Sequence, residues 1–126
     1  MGLYAGTGKA TPLYEAKQIY VFLSEAVANG QSSVAVSFPR KIGGTAYSLS
    51  ASVQIQFSAD PGAYQVDIQT SDTDADGNYV TLYSLNGGLN SNFCTRQEMP
   101  LFWAKFLRVQ LVSKTNPVNL TALVTR

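Results

Sequence analysis

The stretch "SDTDADGNYVTLY" at 71–83 sets Asp72, Asp74 and Asp76 on alternate positions and follows them with Gly77. Carboxylates spaced D-x-D-x-D-G open one class of calcium loop, in which oxygen ligands converge on a hard cation. A complete loop of that class needs a bidentate glutamate at its twelfth position and a helix on each side. Counted from Asp72, the twelfth residue is Tyr83 and the ninth, where other aspartate-rich calcium loops place a further acid, is Val80. Both flanks, "QVDIQTS" and "YVTLYS", read as strands. The competing reading is a solvated hairpin tip, in which Asp and Asn bond nearby backbone amides and Asp76-Gly77 makes a tight reversal. The expectation is a metal-free hairpin tip. Weak calcium binding by three carboxylates that repel one another when the cation is absent is the alternative.

Few other residues offer chemistry. The chain has no histidine, so it lacks the commonest general base and transition-metal ligand. Its one cysteine, Cys94, has no histidine to activate it and is expected to be a buried structural thiol. Asp60, Asp67 and the three acids at 72–76 fall near one expected hairpin, but spacing alone fixes no pair at the separation a glycosidase needs. "GTGK" at 6–9 lacks the spacing of a phosphate-binding loop and no strand precedes it. "MPLFWAKF" at 99–106 is read first as core, because Trp103 extends the inward phase of Leu107, Val109 and Leu111; an aromatic sugar platform or a protein-contact patch are the alternatives. The residues therefore point to a protein that is not an enzyme, with no catalytic group, cofactor or metal site.

Composition narrows the partners. Only 13% of the residues are charged, about half of the usual ~25%. The net charge of +1 supplies no field to gather nucleic acid or an anionic membrane, so neither is expected as a partner. Neutral polar groups take the place of charge: twelve Ser, ten Thr, seven Asn and eight Gln. A hydrophobic content of 45% is enough for a core within one domain. Such a surface suits a β protein partly covered by other protein, or equally an ordinary extracellular-type β-domain. A single cysteine allows no intrachain disulfide and is compatible with folding in a reducing cytoplasm. The opening "MGLYAGTGKATPLYEAK" has no basic segment followed by an apolar run, so it is not expected to be a secretory signal.

The elements that must position these groups follow a period of two. "SASVQIQF" (50–57) turns Ala51, Val53, Ile55 and Phe57 to one face; "AYQVDIQTS" (63–71) alternates Tyr64, Val66 and Ile68 against Gln65, Asp67 and Gln69. "AKFLRVQLV" (104–112) alternates Leu107, Val109 and Leu111 against Lys105, Arg108 and Gln110. Each is a half-buried strand. Weaker strands are expected at 18–23, 33–38, 79–85, 92–97 and 117–125, which makes about eight. Turn residues separate them: Asn29-Gly30, Gly43-Gly44, Pro61-Gly62, Asp76-Gly77 and Asn86-Gly87-Gly88. Asn-Gly and Asp-Gly suit type I′ hairpins, and Pro-Gly suits a type II turn. The expected fold is all-β: an antiparallel β-sandwich, jelly-roll-like, of about eight strands over 17–126. Residues 1–16 read as an extended N-terminal arm with apolar anchors, Leu3, Tyr4, Leu13 and Tyr14, that contact a partner.

A short Gly/Ala/Thr arm leading into a charge-poor, Ser/Thr/Gln-rich domain resembles the layout of a small structural protein of a tailed bacteriophage. The segment "FSADPGAYQVDIQTSDTDADGNYVTL" (57–82), with its strand, Pro-Gly reversal, Gln/Asp-alternating strand and acidic hairpin, resembles the cement or decoration proteins that clamp phage capsids. That resemblance is of layout and assigns no functional residue. It implies a virion structural protein on the capsid surface, made in the host cytoplasm, that bridges copies of the major capsid protein and is itself a homo-oligomer, a dimer or trimer. The alternative is a carbohydrate- or receptor-binding module of a phage tail, baseplate or fibre.

Overall fold

A computed structural model of the chain describes residues 18–38, 51–87, 93–99 and 104–126. The arm with Leu3, Tyr4, Leu13 and Tyr14, the "GTGK" stretch, the Gly43-Gly44 turn and Trp103 lie outside the described residues. Eight strands run in chain order: β1 (Gln18–Glu25), β2 (Val36–Ser37), β3 (Ala51–Phe57), β4 (Tyr64–Ser71), β5 (Val80–Asn86), β6 (Cys94–Met99), β7 (Phe106–Lys114) and β8 (Leu120–Thr125). They form two four-stranded antiparallel sheets, ordered β1-β8-β3-β6 and β2-β7-β4-β5. The all-β sandwich expected from the sequence is present.

The pairing has a simple logic. The chain doubles back once, between β4 and β5, and its two halves pair outward from that point: β4 with β5, β3 with β6, β2 with β7, β1 with β8. Alternate pairs go to opposite sheets, and β3·β8 and β4·β7 join them. This nested wrapping is the strand order of a jelly roll. It also makes the acidic stretch at 72–79 the turning point of the whole chain.

The period-two residues close the core. Val53, Ile55, Val66, Ile68, Leu107, Val109, Leu111, Leu120, Ala122 and Val124 are fully buried, with Phe57 and Tyr64 in edge-to-face contact at a ring separation of 5.2 Å. Each large side chain among them contributes ~1.5–3 kcal/mol by leaving water. Met99 and Ala104 join the same cluster, while Leu101, Phe102 and Trp103, on which the core reading of 99–106 rested, lie outside the described residues.

Several local expectations are corrected. Among the described strands only β4 and β5 are sequential neighbours in a sheet, so most turns are not hairpins. Gly30, with φ of 87°, sits in a turn closed by Gln31 N–H donating to the Ala28 carbonyl (3.0 Å), and Asn29 keeps a negative φ. That is type II geometry, suited to carrying the chain from one sheet to the other, and not a type I′ hairpin. Strand 33–38 shrinks to two residues, with an isolated bridge from Ser32 to Gln110. In β1 the alternation breaks: Val21 and Phe22 are both buried, register shifts fall on either side of Phe22, and Ser24 adopts φ of 48°.

Candidate functional site

The loop between β4 and β5 does not reverse tightly at Asp76-Gly77. Eight residues, 72–79, separate the strands, and Asp76–Asn78 form a 3-10 turn in which neither Asp76 nor Gly77 has a positive φ. Local polar contacts shape it. The Ser71 hydroxyl donates to the Thr73 carbonyl (2.6 Å) and accepts from the Thr73 N–H (3.1 Å), and Asn78 Nδ2 donates to Thr73 Oγ1 (2.8 Å). These side-chain bonds to nearby groups compete with a two-residue turn.

The loop is then fastened to the outward face of β2-β7-β4-β5. The Arg108 guanidinium on β7 lies 4.0 Å from the centre of the Tyr79 ring, donates through Nη1 to Asp76 Oδ1 (2.6 Å) and through Nε to Gln69 Oε1 (2.8 Å). Tyr79 Oη donates to Asp74 Oδ1 (2.8 Å). Burial of the ring, the bond to Asp74 and the Asp74 charge push the Tyr79 phenol up to about 12, against the opposing pull of Arg108. Asp74 is thus bonded within the loop and Asp76 is bonded to Arg108 of β7. The carboxylates do not converge: among the described residues, no three acidic or cysteine side chains meet at a metal-binding spacing.

Behind Arg108 lies a ladder of bonded side chains. Gln69 Nε2 donates to Gln110 Oε1 (3.0 Å), and Gln110 Nε2 donates to the Gly30 carbonyl (3.2 Å). Asp67 accepts from Ser84 Oγ (2.7 Å), Gln65 Nε2 (3.1 Å) and Thr81 Oγ1 (3.4 Å). The outward phase of β4 was expected to face water, but Asp67 and Gln69 are only 8% exposed. They bond sideways to neighbouring strands, which satisfies them without solvent. The three groups that donate to Asp67 are all neutral, and the ladder's polar atoms bond mostly to one another. Asp60 donates nothing to it: its carboxylate caps the Pro-Gly turn by accepting from the Gly62 N–H (2.9 Å), at the far end of β4, roughly 25 Å along the strand from Asp72.

Cys94 is a further correction. It is half-buried on the outward face of β1-β8-β3-β6, opposite Gln56, and its sulfur accepts from Gln54 Nε2 (3.2 Å). That face is laid out in cross-strand rows. Tyr20, Leu123, Gln54 and Arg96 form one row across all four strands, and Gln18, Thr125, Ser52 and Glu98 form the next. Arg96 and Glu98 pair with each other at 2.7 Å, so the charges in these two rows cancel.

Of the groups singled out in the sequence, the structure brings Asp74 and Asp76 to one loop, beside Tyr79 and Arg108, neither of which sequence spacing had linked to them. Their only signal was phase: Gln69, Arg108 and Gln110 all fall on the outward side of their strands. A scan against protein-family models finds no match, and a search of curated proteins finds no significant relative.

Proposed function

We propose that the chain is a non-enzymatic virion structural protein, a capsid cement or decoration protein that binds and bridges copies of a major capsid protein and stabilises the head. The observation that carries this reading is the outward face of β1-β8-β3-β6. Its rows present Tyr20 and Leu123 among Gln, Ser and Thr, and its two charges cancel within one pair. Apart from that pair the named rows are neutral, and neutral polar groups around an exposed aromatic residue are what interface centres show. Contact over ~800 Å² per partner, repeated on several subunits at once, would resist the outward load of a packed genome. Leu3, Tyr4, Leu13 and Tyr14 of the N-terminal arm add apolar anchors to the same partner. In this reading the protein works as a homo-oligomer on the capsid surface after synthesis in the host cytoplasm, with no nucleic-acid or membrane partner.

The test is the composition and strength of the particle. The protein should co-purify with intact heads in fixed ratio to the major capsid protein, and heads assembled without it should rupture at lower temperature. Wild-type heads that are complete and equally heat-resistant without it would overturn the reading.

A second reading, a carbohydrate- or receptor-binding module, is favoured by the Tyr79–Arg108 stack beside the amide ladder on the opposite sheet. Aromatic and planar polar groups together suit a neutral sugar. A glycan array run with and without calcium separates it from the first reading.

A further inference from the structure

Among the described residues the sandwich has four edge strands, and three carry features that oppose further pairing. β2 is two residues long. β1 changes register twice and turns through the left-handed Ser24. β6 carries Arg96 and Glu98, and the Gln97 side chain already donates to the Glu98 carbonyl (2.9 Å). Short edges, bulges and charges are the usual means of preventing edge-to-edge association. The fourth edge, β5, has seven residues, "VTLYSLN", with no charge and no proline. Among the described residues no strand pairs with its outer side. Val80 and Leu82 on it are 69% and 42% exposed, while Tyr83 and Leu85 are half-buried against the core.

We propose that β5 is a homotypic docking edge: two copies of the chain pair β5 antiparallel about a two-fold axis at Ser84, joining their β2-β7-β4-β5 sheets into one sheet of eight strands. The register follows from the residues. With Ser84 opposite itself, Tyr83 of each copy meets Leu85 of the other, so the apolar layer that runs out to the open side of each sandwich continues into the next. An aromatic–aliphatic pair of this kind is a favourable cross-strand contact. On the outward face Leu82 lies opposite Asn86. The one register shift between β4 and β5 falls between Ile68 and Gln69, opposite Leu82, which leaves Tyr83–Asn86 regular.

Charge also fits a second copy. The acidic loop ends at Tyr79, directly before β5, and a like-charged neighbour there would oppose association. The two-fold at Ser84 sends the two loops to opposite ends of the paired strands. The two Val80 residues stand roughly 25 Å apart along the strand direction, well beyond the ~8–10 Å over which exposed charges act in ordinary salt. A closed two-fold contact also uses both free edges, so it ends at two copies and does not propagate.

Sedimentation of the full chain tests this, with paired substitutions that report the register. The wild-type chain should sediment as a dimer at about 100 µM. L82K/N86K places lysine opposite lysine twice across the axis and should weaken dimerisation at least about tenfold, whereas L82E/N86K places opposite charges there and should restore it. A monomeric wild-type chain, or two double variants that sediment alike, overturns the proposal. Ser84→Cys in a Cys94→Ser background gives a second reading that needs no change of edge charge. Residues directly opposite across strands are ~4.5–5.5 Å apart at Cα, within disulfide reach, so mild oxidation should cross-link the dimer through position 84; an absence of cross-linked dimer places the axis elsewhere and contradicts the register.

Discussion

The guanidinium carbon of Arg108 lies 4.0 Å from the centre of the Tyr79 ring, and its nitrogens reach Gln69 and Asp76. One side chain on β7 thus holds the turning point of the chain against the sheet. The Arg108 side chain is 11% exposed and that of Asp76 is 92% exposed, so the ion pair itself is weakened by solvent. The bond to Gln69 and the stacking carry more of the effect.

Arg108→Ala is therefore expected to lower unfolding stability by about 1–3 kcal/mol, mostly by leaving Gln69 without its donor and the ring without its cation. Arg108→Lys should recover little, because an ammonium cannot make the forked contact. Chemical denaturation gives the stability. Amide exchange should show faster opening of 72–79 in both variants, and an unchanged loop would mean that Arg108 does not hold it.

Tyr79 should ionise well above an ordinary tyrosine. Its folded value, about 12, exceeds the ordinary 10.0. The stability this represents is complete below pH 10, where both folded and unfolded forms are protonated. It falls as the pH rises from about 10 through 12, as the unfolded phenol ionises first. The phenolate absorbance of the chain minus that of Tyr79→Phe isolates the group. Asp74→Asn should bring it down.

Calcium should not stabilise the chain. A site with a dissociation constant of ~10 µM would add ~2.7 kcal/mol at ~1 mM calcium. Asp76 is turned to Arg108 and Asp74 accepts from Tyr79, so calcium would have to break contacts already made. Melting curves in calcium and in a chelator should coincide. A rise of several degrees in calcium, abolished by Asp74→Asn, would restore the metal reading.

Gly62 marks a place where backbone and space agree. Its φ is 69°, and a Cβ there would lie 2.9 Å from Thr115 Cβ, while Thr115 and Asn116 N–H groups bond the Pro61 carbonyl. Gly62→Ala should cost about 1–3 kcal/mol, read by thermal or urea unfolding.

The inward phases of β3, β4 and β7 were legible because each strand has one buried face, and a slip by one residue would expose every apolar side chain. Val53, Ile55, Val66, Ile68, Leu107, Val109 and Leu111 all fall where alternation placed them. Pairing was not legible. Turn residues act locally, whereas Leu123 meets Tyr20 and Gln54 from the far end of the chain. The same limit hid the loop fastening. Tyr79 reads as the start of a strand and Arg108 as a surface residue until β4 brings their neighbours together. The period of two also fails where outward polar residues bond one another, so Asp67 and Gln69 are buried against expectation.

Docking on a capsid through the outward face of β1-β8-β3-β6, as proposed above, is tested by rebinding. Heads stripped of the protein are titrated with the wild-type chain and with Tyr20→Lys/Gln54→Lys, which places two cations in the middle row while leaving the core and the β5 edge untouched. The wild type should bind saturably and restore the heat resistance of the heads, and the variant should lose at least about tenfold in affinity. Equal binding of the two, or no saturable binding by a folded wild-type chain, would contradict it.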